Sequence, residues 1–392
     1  MSEAPDRTVT SSNAATRPRV RYVTNLREVD ALDRTEQSDL LPVAARYPFR
    51  ANDYYLGLID WSDPEDPIRR LVVPSLDELQ QWGSLDASRE ATYTVAPGVQ
   101  HKYRRTVVML CTEMCGAFCR YCFRKRLFMD EADHDSLDLD TGLAYIAAHP
   151  EVSNVLLSGG DPLLMSTRRL EDILSRLAAI RHVRVVRIGT KMPAFNPWRV
   201  LDDAALRHAL RRYSRPGRRV YVMAHFDHPR ELTADARAGV AALMEAGAVV
   251  VNQCPIVRGV NDNGDTLGEL FQRLTWSGVQ PYYLFQCRPT AGNASFVVPL
   301  VEGFRTFCRA RRQTSGLGRR ARYCMSHASG KIAVVGLDRD HLYLRYHQAA
   351  DPADEFRFMV FRRDDTAHWV DQLVPVAEGL RAPERDAADG AR

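Results

Sequence analysis

Three cysteines fall within one short stretch, Cys115-Gly-Ala-Phe-Cys119-Arg-Tyr-Cys122, and thiolates grouped in this way are ligands for iron–sulfur cubanes. Three protein thiolates on a four-iron cluster leave one iron without a protein ligand. An open coordination position marks a reactive metal site rather than a structural one. That iron can chelate the amino and carboxylate groups of S-adenosylmethionine (SAM) while the cluster passes one electron into the sulfonium. Homolysis then yields methionine and a 5′-deoxyadenosyl radical, which can take hydrogen from unactivated carbon. Phe118, Tyr121 and Phe123 lie between and beside the ligands and would exclude water and solvent oxidants.

The competing reading is a structural zinc site. Zinc normally takes four ligands, often as two separated Cys/His pairs. His101 or Cys111 would have to supply the fourth, and no paired knuckle is visible. A shifted register using Cys111, Cys115 and Cys119 leaves Cys122 idle, and Cys111 ends an apolar strand; it reads as a buried thiol.

The remaining cysteines, Cys111, Cys254, Cys287, Cys308 and Cys324, are scattered, which does not suggest a disulfide framework. A thiol cluster without such a framework points to a reducing compartment, so the expected location is cytoplasmic. Net charge is +4, from 53 basic and 49 acidic groups, too small to argue for nucleic acid or an anionic membrane as partner. Apolar residues at 45% and charged residues at 26% match an ordinary globular protein. No apolar run approaches the ~20 residues of a membrane helix. Residues 1–20 lack the apolar core of a secretory signal and read as a disordered leader, and residues 376–392 read as a disordered tail.

Elements that could position the cysteines follow from the pattern between these ends. Residues 21–100 mix helical patches with Pro and Asp turns and read as an N-terminal helical region without chemistry of its own. From Thr106 onward, β-rich runs at 106–110, 152–159, 183–189, 220–226, 248–254 and 279–286 alternate with amphipathic stretches near 139–148, 168–179, 201–212, 232–246, 264–275 and 299–312. Strands spaced by helices of this length imply right-handed crossovers and a parallel sheet. Six units are too few for an eight-fold barrel, so the fold class is α/β, a partial (βα)6 barrel over 101–312. A C-terminal extension over 313–375 contains the β-like runs KIAVVG and HLYLRYH.

Parallel α/β folds bind ligands at the carboxyl ends of their strands. The second strand ends in Leu157-Ser158-Gly159-Gly160-Asp161-Pro162, and paired glycines there let backbone approach a ligand. The next strands end in Arg187-Ile188-Gly189-Thr190-Lys191, Ala224-His225-Phe226-Asp227, Asn252-Gln253-Cys254-Pro255 and Phe285-Gln286-Cys287-Arg288. A single histidine at a strand end is more often structural. Four consecutive polar ends delivered to one mouth are harder to read that way.

Over residues 47–350 the chain resembles the lysine 2,3-aminomutase family of radical SAM enzymes. The resemblance rests on YYLGLIDWSDPEDPIRR, CGAFCRYCFRKR, LLSGGDPL, VRIGTKMP, HFDHP, VNQCPIVRGVND and PYYLFQC, in that order. It implies a [4Fe-4S] cluster on Cys115, Cys119 and Cys122, and SAM contacts at Ser158, Gly159, Gly160, Asp161, His225 and Gln253. It also implies Arg124 as partner of a substrate carboxylate, for which a guanidinium offers a planar fork.

Three departures bear on the reaction. Family members carry pyridoxal phosphate (PLP) on a lysine in a glycine-rich segment. Here RYCMSHASGKIAVVG is shorter, and aligned on Tyr323, Ser326 and Lys331 it matches the strand beyond that segment; the PLP loop is read as deleted and PLP is not expected. The arginine pair that grips the cofactor phosphate is replaced within His101-Lys102-Tyr103-Arg104-Arg105-Thr106. The aspartate expected after the Gln-Cys of the sixth strand is Arg288, which suits an anionic or neutral polar group instead of an ammonium.

The leading expectation is therefore a PLP-independent radical SAM enzyme that abstracts hydrogen from a small, carboxylate-bearing molecule, with Arg124 and Arg288 lining the site. The alternatives are a PLP-dependent aminomutase for an amino acid other than lysine, using Lys331, and a zinc-stabilised binding protein. With no second cysteine cluster, a flavodoxin or ferredoxin is implied as electron donor, and homo-oligomers are known in the family.

Overall fold

The computed structural model describes residues 19–129 and 137–376. The expectations for the leader and tail therefore fall outside the described residues, apart from their innermost few positions. Strand β1 (Tyr22–Val23) pairs with β2 (Ala51–Asn52) in a small antiparallel ribbon. Twelve further strands form one sheet in chain order: β3 (Thr94–Ala96), β4 (Val99–Tyr103), β5 (Thr106–Thr112), β6 (Asn154–Gly159), β7 (Val185–Thr190), β8 (Arg219–Ala224), β9 (Val249–Ile256), β10 (Gln280–Gln286), β11 (Arg322–His327), β12 (Gly330–Leu337), β13 (His341–Ala349) and β14 (Phe358–Arg362).

Strands β5 to β11 run parallel, and antiparallel strands flank them on both sides. Strand β5 pairs outward with β4 and β11 with β12, so the parallel strands do not close on each other. Side chains at two-residue intervals nevertheless line one cavity: Thr106 and Val108, Leu156 and Ser158, Arg187 and Gly189, Met223, Gln253 and Pro255, Tyr283 and Phe285, then Ser326. Because alternate residues of a strand share a face, the sheet curls around that cavity as a partial barrel.

Helices cover the outer face. In the helix Thr167–Ala179, Ser166 caps the N-terminus by accepting from the Arg169 N–H, and Leu170, Ile173, Leu174 and Leu177 are buried at helical spacing. Helices at Leu139–Ala148, Ala204–Tyr213, Ala234–Glu245, Gly264–Trp276 and Leu300–Arg312 pack in the same core as the strand residues between them. The six expected strands and six expected helices all form, with ends displaced by three residues or fewer. The sequence reading stopped one parallel strand short: β11, with Tyr323, Cys324 and Met325 buried but Arg322 exposed, lies beside β10.

Residues 21–100 are only partly helical. They hold the helices Arg34–Arg46 and Pro67–Val72, but also β3 and β4, which lengthen the main sheet. Their apolar side chains, including Tyr55, Ile68, Leu71 and Val72, cluster with Ala117 and Tyr121 of the cysteine loop and with Phe296. This region is a clamp on the loop.

Candidate active site

The cavity enclosed by the curled sheet has a volume of about 340 Å³ and is lined by Cys115, Cys119 and Cys122 together with the strand ends. The cysteines follow β5 on a loop held from two sides. From the N-terminal region, Arg50 donates from Nε to the Cys115 carbonyl at 2.8 Å and accepts from the Phe118 N–H at 2.8 Å. Arg120, buried between the second and third cysteines, forms an ion pair with buried Glu78 at 2.8 Å. From β6, the Gly160 N–H donates to the Thr112 carbonyl at 2.6 Å and the Asp161 N–H to the Met114 carbonyl at 2.7 Å.

That second anchor changes the role of the paired glycines. A Cβ on Gly159, which has φ of +106°, would stand 2.3 Å from the Thr112 carbonyl oxygen, and one on Gly160 would stand 2.3 Å from that of Met114. Both glycines are thus needed first for the chain's own cysteine loop to approach β6. The Asp161 carboxylate is similarly engaged, accepting from the N–H groups of Leu163 at 3.0 Å and Lys191 at 2.7 Å.

Burial pushes all three thiols up, Cys119 to about 12, and in Cys115 the neighbouring Asp161, Cys122 and Cys119 add to the effect. Three such groups become thiolates together only against a strongly cationic partner, because a coordinating metal deprotonates a thiol outright. Among the described residues no three His, Cys, Asp or Glu side chains converge on a single metal ion. Three clustered thiols match the donor set of an iron–sulfur cluster that keeps one iron open.

Behind the cysteines lies a buried polar network that sequence reading had left as separate strand ends. Lys191 Nζ sits 2.5 Å from Asp227 and 2.6 Å from Glu231. Tyr121 donates to Asp227 at 2.5 Å and Tyr55 to Glu231 at 2.5 Å. His225 Nε2 lies 3.0 Å from Asp227 and 3.1 Å from the Tyr121 hydroxyl. Burial alone would lower the Lys191 pKa, but Asp227 and Glu231 hold it above its ordinary value. The signal available in the sequence was the HFDHP string together with Glu231, whose two carboxylate oxygens are both used.

The opposite wall is cationic. Arg124 donates from Nε and Nη2 to Glu90 and from Nη1 to Ser158 Oγ at 2.8 Å, and Arg126 reaches the same carboxylate at 2.8 Å. Burial would raise the Glu90 pKa, but Arg124, Arg288 and Arg126 bring it to about 2. Glu90 belongs to the segment read as having no chemistry; nothing in its local sequence marked it. The Arg288 guanidinium stacks 3.6 Å above the Phe123 ring, and its Nη1 is buried with no hydrogen-bond partner.

Lys331, the second residue of β12, also lines the cavity, its ammonium 5.2 Å and 5.3 Å from the Tyr103 and Tyr283 ring centres. Burial, with Arg187 and Arg288 nearby, lowers its pKa to about 8. Lys102, which donates to the His327 carbonyl, is lowered by burial to about 7. All the expected site residues, Cys115, Cys119, Cys122, Arg124, Ser158, Gly159, Gly160, Asp161, His225, Gln253 and Arg288, border this one cavity.

No protein-family model matches the chain. It is 47% identical over 357 residues, 91% of its length and 96% of the other's, to an Aquifex aeolicus (strain VF5) protein provisionally named an L-lysine 2,3-aminomutase. The L-lysine 2,3-aminomutase of Clostridium subterminale is 35% identical over 305 residues, covering 76% of this chain and 71% of that one. Among solved structures, a radical SAM methyltransferase from Sphaerobacter thermophilus matches with a TM-score of 0.41 and 17% identity over 58% of this chain and 68% of that one, too loosely to bear on function.

Proposed function

This chain belongs to the lysine 2,3-aminomutase family of radical SAM enzymes, and we propose that it rearranges an amino acid other than lysine in the cavity between its three clustered cysteines and Lys331. The observation that carries this reading is the position of Lys331. The shortened segment before it suggested that the PLP lysine was gone. A tight turn between β11 and β12, closed by Gly330 at φ of +152°, is enough to deliver an amine to the cavity without a long loop.

Cys115, Cys119 and Cys122 would hold the [4Fe-4S] cluster, and Ser158, Gly159, Gly160, Asp161, His225 and Gln253 border the space that SAM would fill. When bound, the cluster and SAM supply the radical that removes hydrogen from carbon, and PLP supplies the π-system across which an amino group can migrate. Lys331 fits the aldehyde of PLP because burial lowers its amine pKa to about 8, which enlarges the unprotonated fraction that a nucleophile requires. Lys102 and Arg187 line the same end and suit the phosphate. Tyr121, Asp227 and Lys191 fix His225 and the floor beneath the cysteines, while Glu90 aims Arg124 across the cavity. The low-potential electron would come from a flavodoxin or ferredoxin, since the other five cysteines are dispersed. The absence of any disulfide among the eight cysteines suits a cytoplasmic setting.

The PLP-independent reading is second. It is favoured by Lys102 and Thr106 standing where the resemblance leads one to expect two phosphate-gripping arginines. Anaerobic reconstitution with PLP, followed by borohydride trapping and peptide mass mapping, separates the two. A pyridoxyl adduct on Lys331, absent from Lys331→Met, supports the first; full turnover without PLP and no adduct removes it.

A further inference from the structure

We propose that Lys125 sets the reduction potential of the cluster: its buried ammonium, behind the cysteine loop, eases entry of the one electron that an external flavodoxin or ferredoxin delivers. The inference rests on Cys115, Cys119 and Cys122 holding a [4Fe-4S] cluster. The chain has four lysines, and three of them, Lys102, Lys191 and Lys331, line the cavity. Lys125 does not; it borders a small crevice on the other side of Cys119, together with Tyr47, Phe118 and Arg120. The residue is only 5% exposed. Its Nζ donates to the Arg120 carbonyl at 2.8 Å, lies 4.5 Å from the Tyr47 ring centre, and would stand 3.0 Å from a Cβ on Gly292. Enclosed in this way and outside the cavity, the amine does not meet the substrate, and its charge acts through space.

Charge behind the loop does not balance. Arg120 takes both oxygens of Glu78, from Nε at 2.9 Å and Nη2 at 2.8 Å, and leaves Lys125 at 4.0 Å from the same carboxylate. Two buried cations thus share one buried anion, and a positive charge is left over. Elsewhere around the thiols the cations are matched, Lys191 by Asp227 and Glu231 and Arg124 by Glu90. Arg50 has no carboxylate partner among the described residues, but it is half-buried, where water screens its charge. The surplus at Lys125 lies within electrostatic reach of Cys122 and Cys287. An uncompensated charge in a dry setting is unfavourable, and an anionic cluster beside it offsets that. Reduction adds negative charge to a group that its three thiolates already make anionic. Because the potential of such a cluster follows net charge as well as hydrogen bonding and exposure, a fixed buried cation favours the reduced state.

The test is a redox titration, followed by electron paramagnetic resonance, of anoxically reconstituted wild type, Lys125→Gln, Lys125→Met and Glu78→Gln. Iron per chain is measured on each, and SAM is left out. Lys125→Gln and Lys125→Met are expected to make reduction about tenfold less favourable, a shift of about 59 mV to lower potential for one electron. Glu78→Gln, which enlarges the positive surplus, is expected to move the potential the other way. A purely structural role for Lys125 would disturb iron uptake or stability and leave the potential of the retained cluster alone. Unmoved potentials at full iron therefore overturn the proposal. So does a shift in Lys125→Met without one in Lys125→Gln, which would assign the effect to the hydrogen bond on the Arg120 carbonyl. If neither Lys125 variant takes up iron, the sign of the Glu78→Gln shift decides. Iron lost from all three gives these side chains to building the loop and likewise overturns the proposal. Wild type without a cubane signal removes the cluster reading itself, whereas a cubane with unmoved potentials leaves that reading standing.

Discussion

Glu90 sits among three arginines, and its carboxylate orders two of them. Burial and charge act in opposite senses on it, and the arginines prevail, holding it near 2 against an ordinary 4.5. A carboxylate with a depressed folded-state pKa contributes its full stabilisation above about pH 4.5 and loses it as pH falls toward 2. Glu90→Gln is therefore expected to flatten the acid-unfolding curve across that window. At neutral pH it should cost about 1–3 kcal/mol by leaving Arg124 and Arg126 without their counter-charge; an unchanged acid-unfolding curve would contradict the ion-pair geometry. Lys331 gives the opposite test. Its amine loses a proton near pH 8, so the rate of PLP uptake by the unloaded protein should climb through that pH and then level off. Stopped-flow absorbance checks this, and a flat profile would count against Lys331 as the anchor. At this scale the three clustered cysteines, His225 and Arg288, which all border the cavity, were marked in the sequence by their spacing or strand-end position. Glu90 was not, since its meaning comes from partners more than thirty residues away.

Among the elements, the junction between β6 and the cysteine loop is the most sensitive. Gly160 has no room for a Cβ because the Met114 backbone is already there. Gly160→Ala should push the loop away, costing about 1–3 kcal/mol and lowering iron bound per chain after anoxic reconstitution. Retention of full iron with unchanged stability would contradict the close approach. The six parallel strands and their helices were legible because each strand is a short apolar run bounded by turns and each helix repeats its apolar residues every three or four positions. Strand β11 was missed because its buried run, Tyr323 to Met325, is only three residues long and follows the exposed Arg322. Strands β3 and β4 were missed because they are short and carry Thr94, Gln100, His101 and Lys102 among few apolar residues.

At the level of the whole molecule, the curled sheet leaves a mouth that neither end of the parallel array can cover. The N-terminal region closes the side with the cysteine loop, and the β11–β14 unit closes the cationic side, bringing Ser326 and Lys331 inward. These closures join residues separated by more than two hundred positions, as in the Lys102 hydrogen bond to the His327 carbonyl. No local periodicity encodes such contacts, and from sequence alone Lys331 was read as lying on the strand beyond the PLP segment. The modest net charge of +4 likewise concealed a cavity wall on which positive groups outnumber negative ones.

Electron paramagnetic resonance of anoxically reconstituted, reduced protein, recorded with and without SAM, bears most directly on the iron site. Expected are a cubane signal that shifts when SAM is added and its loss in Cys115→Ala, Cys119→Ala and Cys122→Ala. One zinc per chain with no cubane signal, or a cubane signal indifferent to SAM, would contradict an open iron held by these three thiolates.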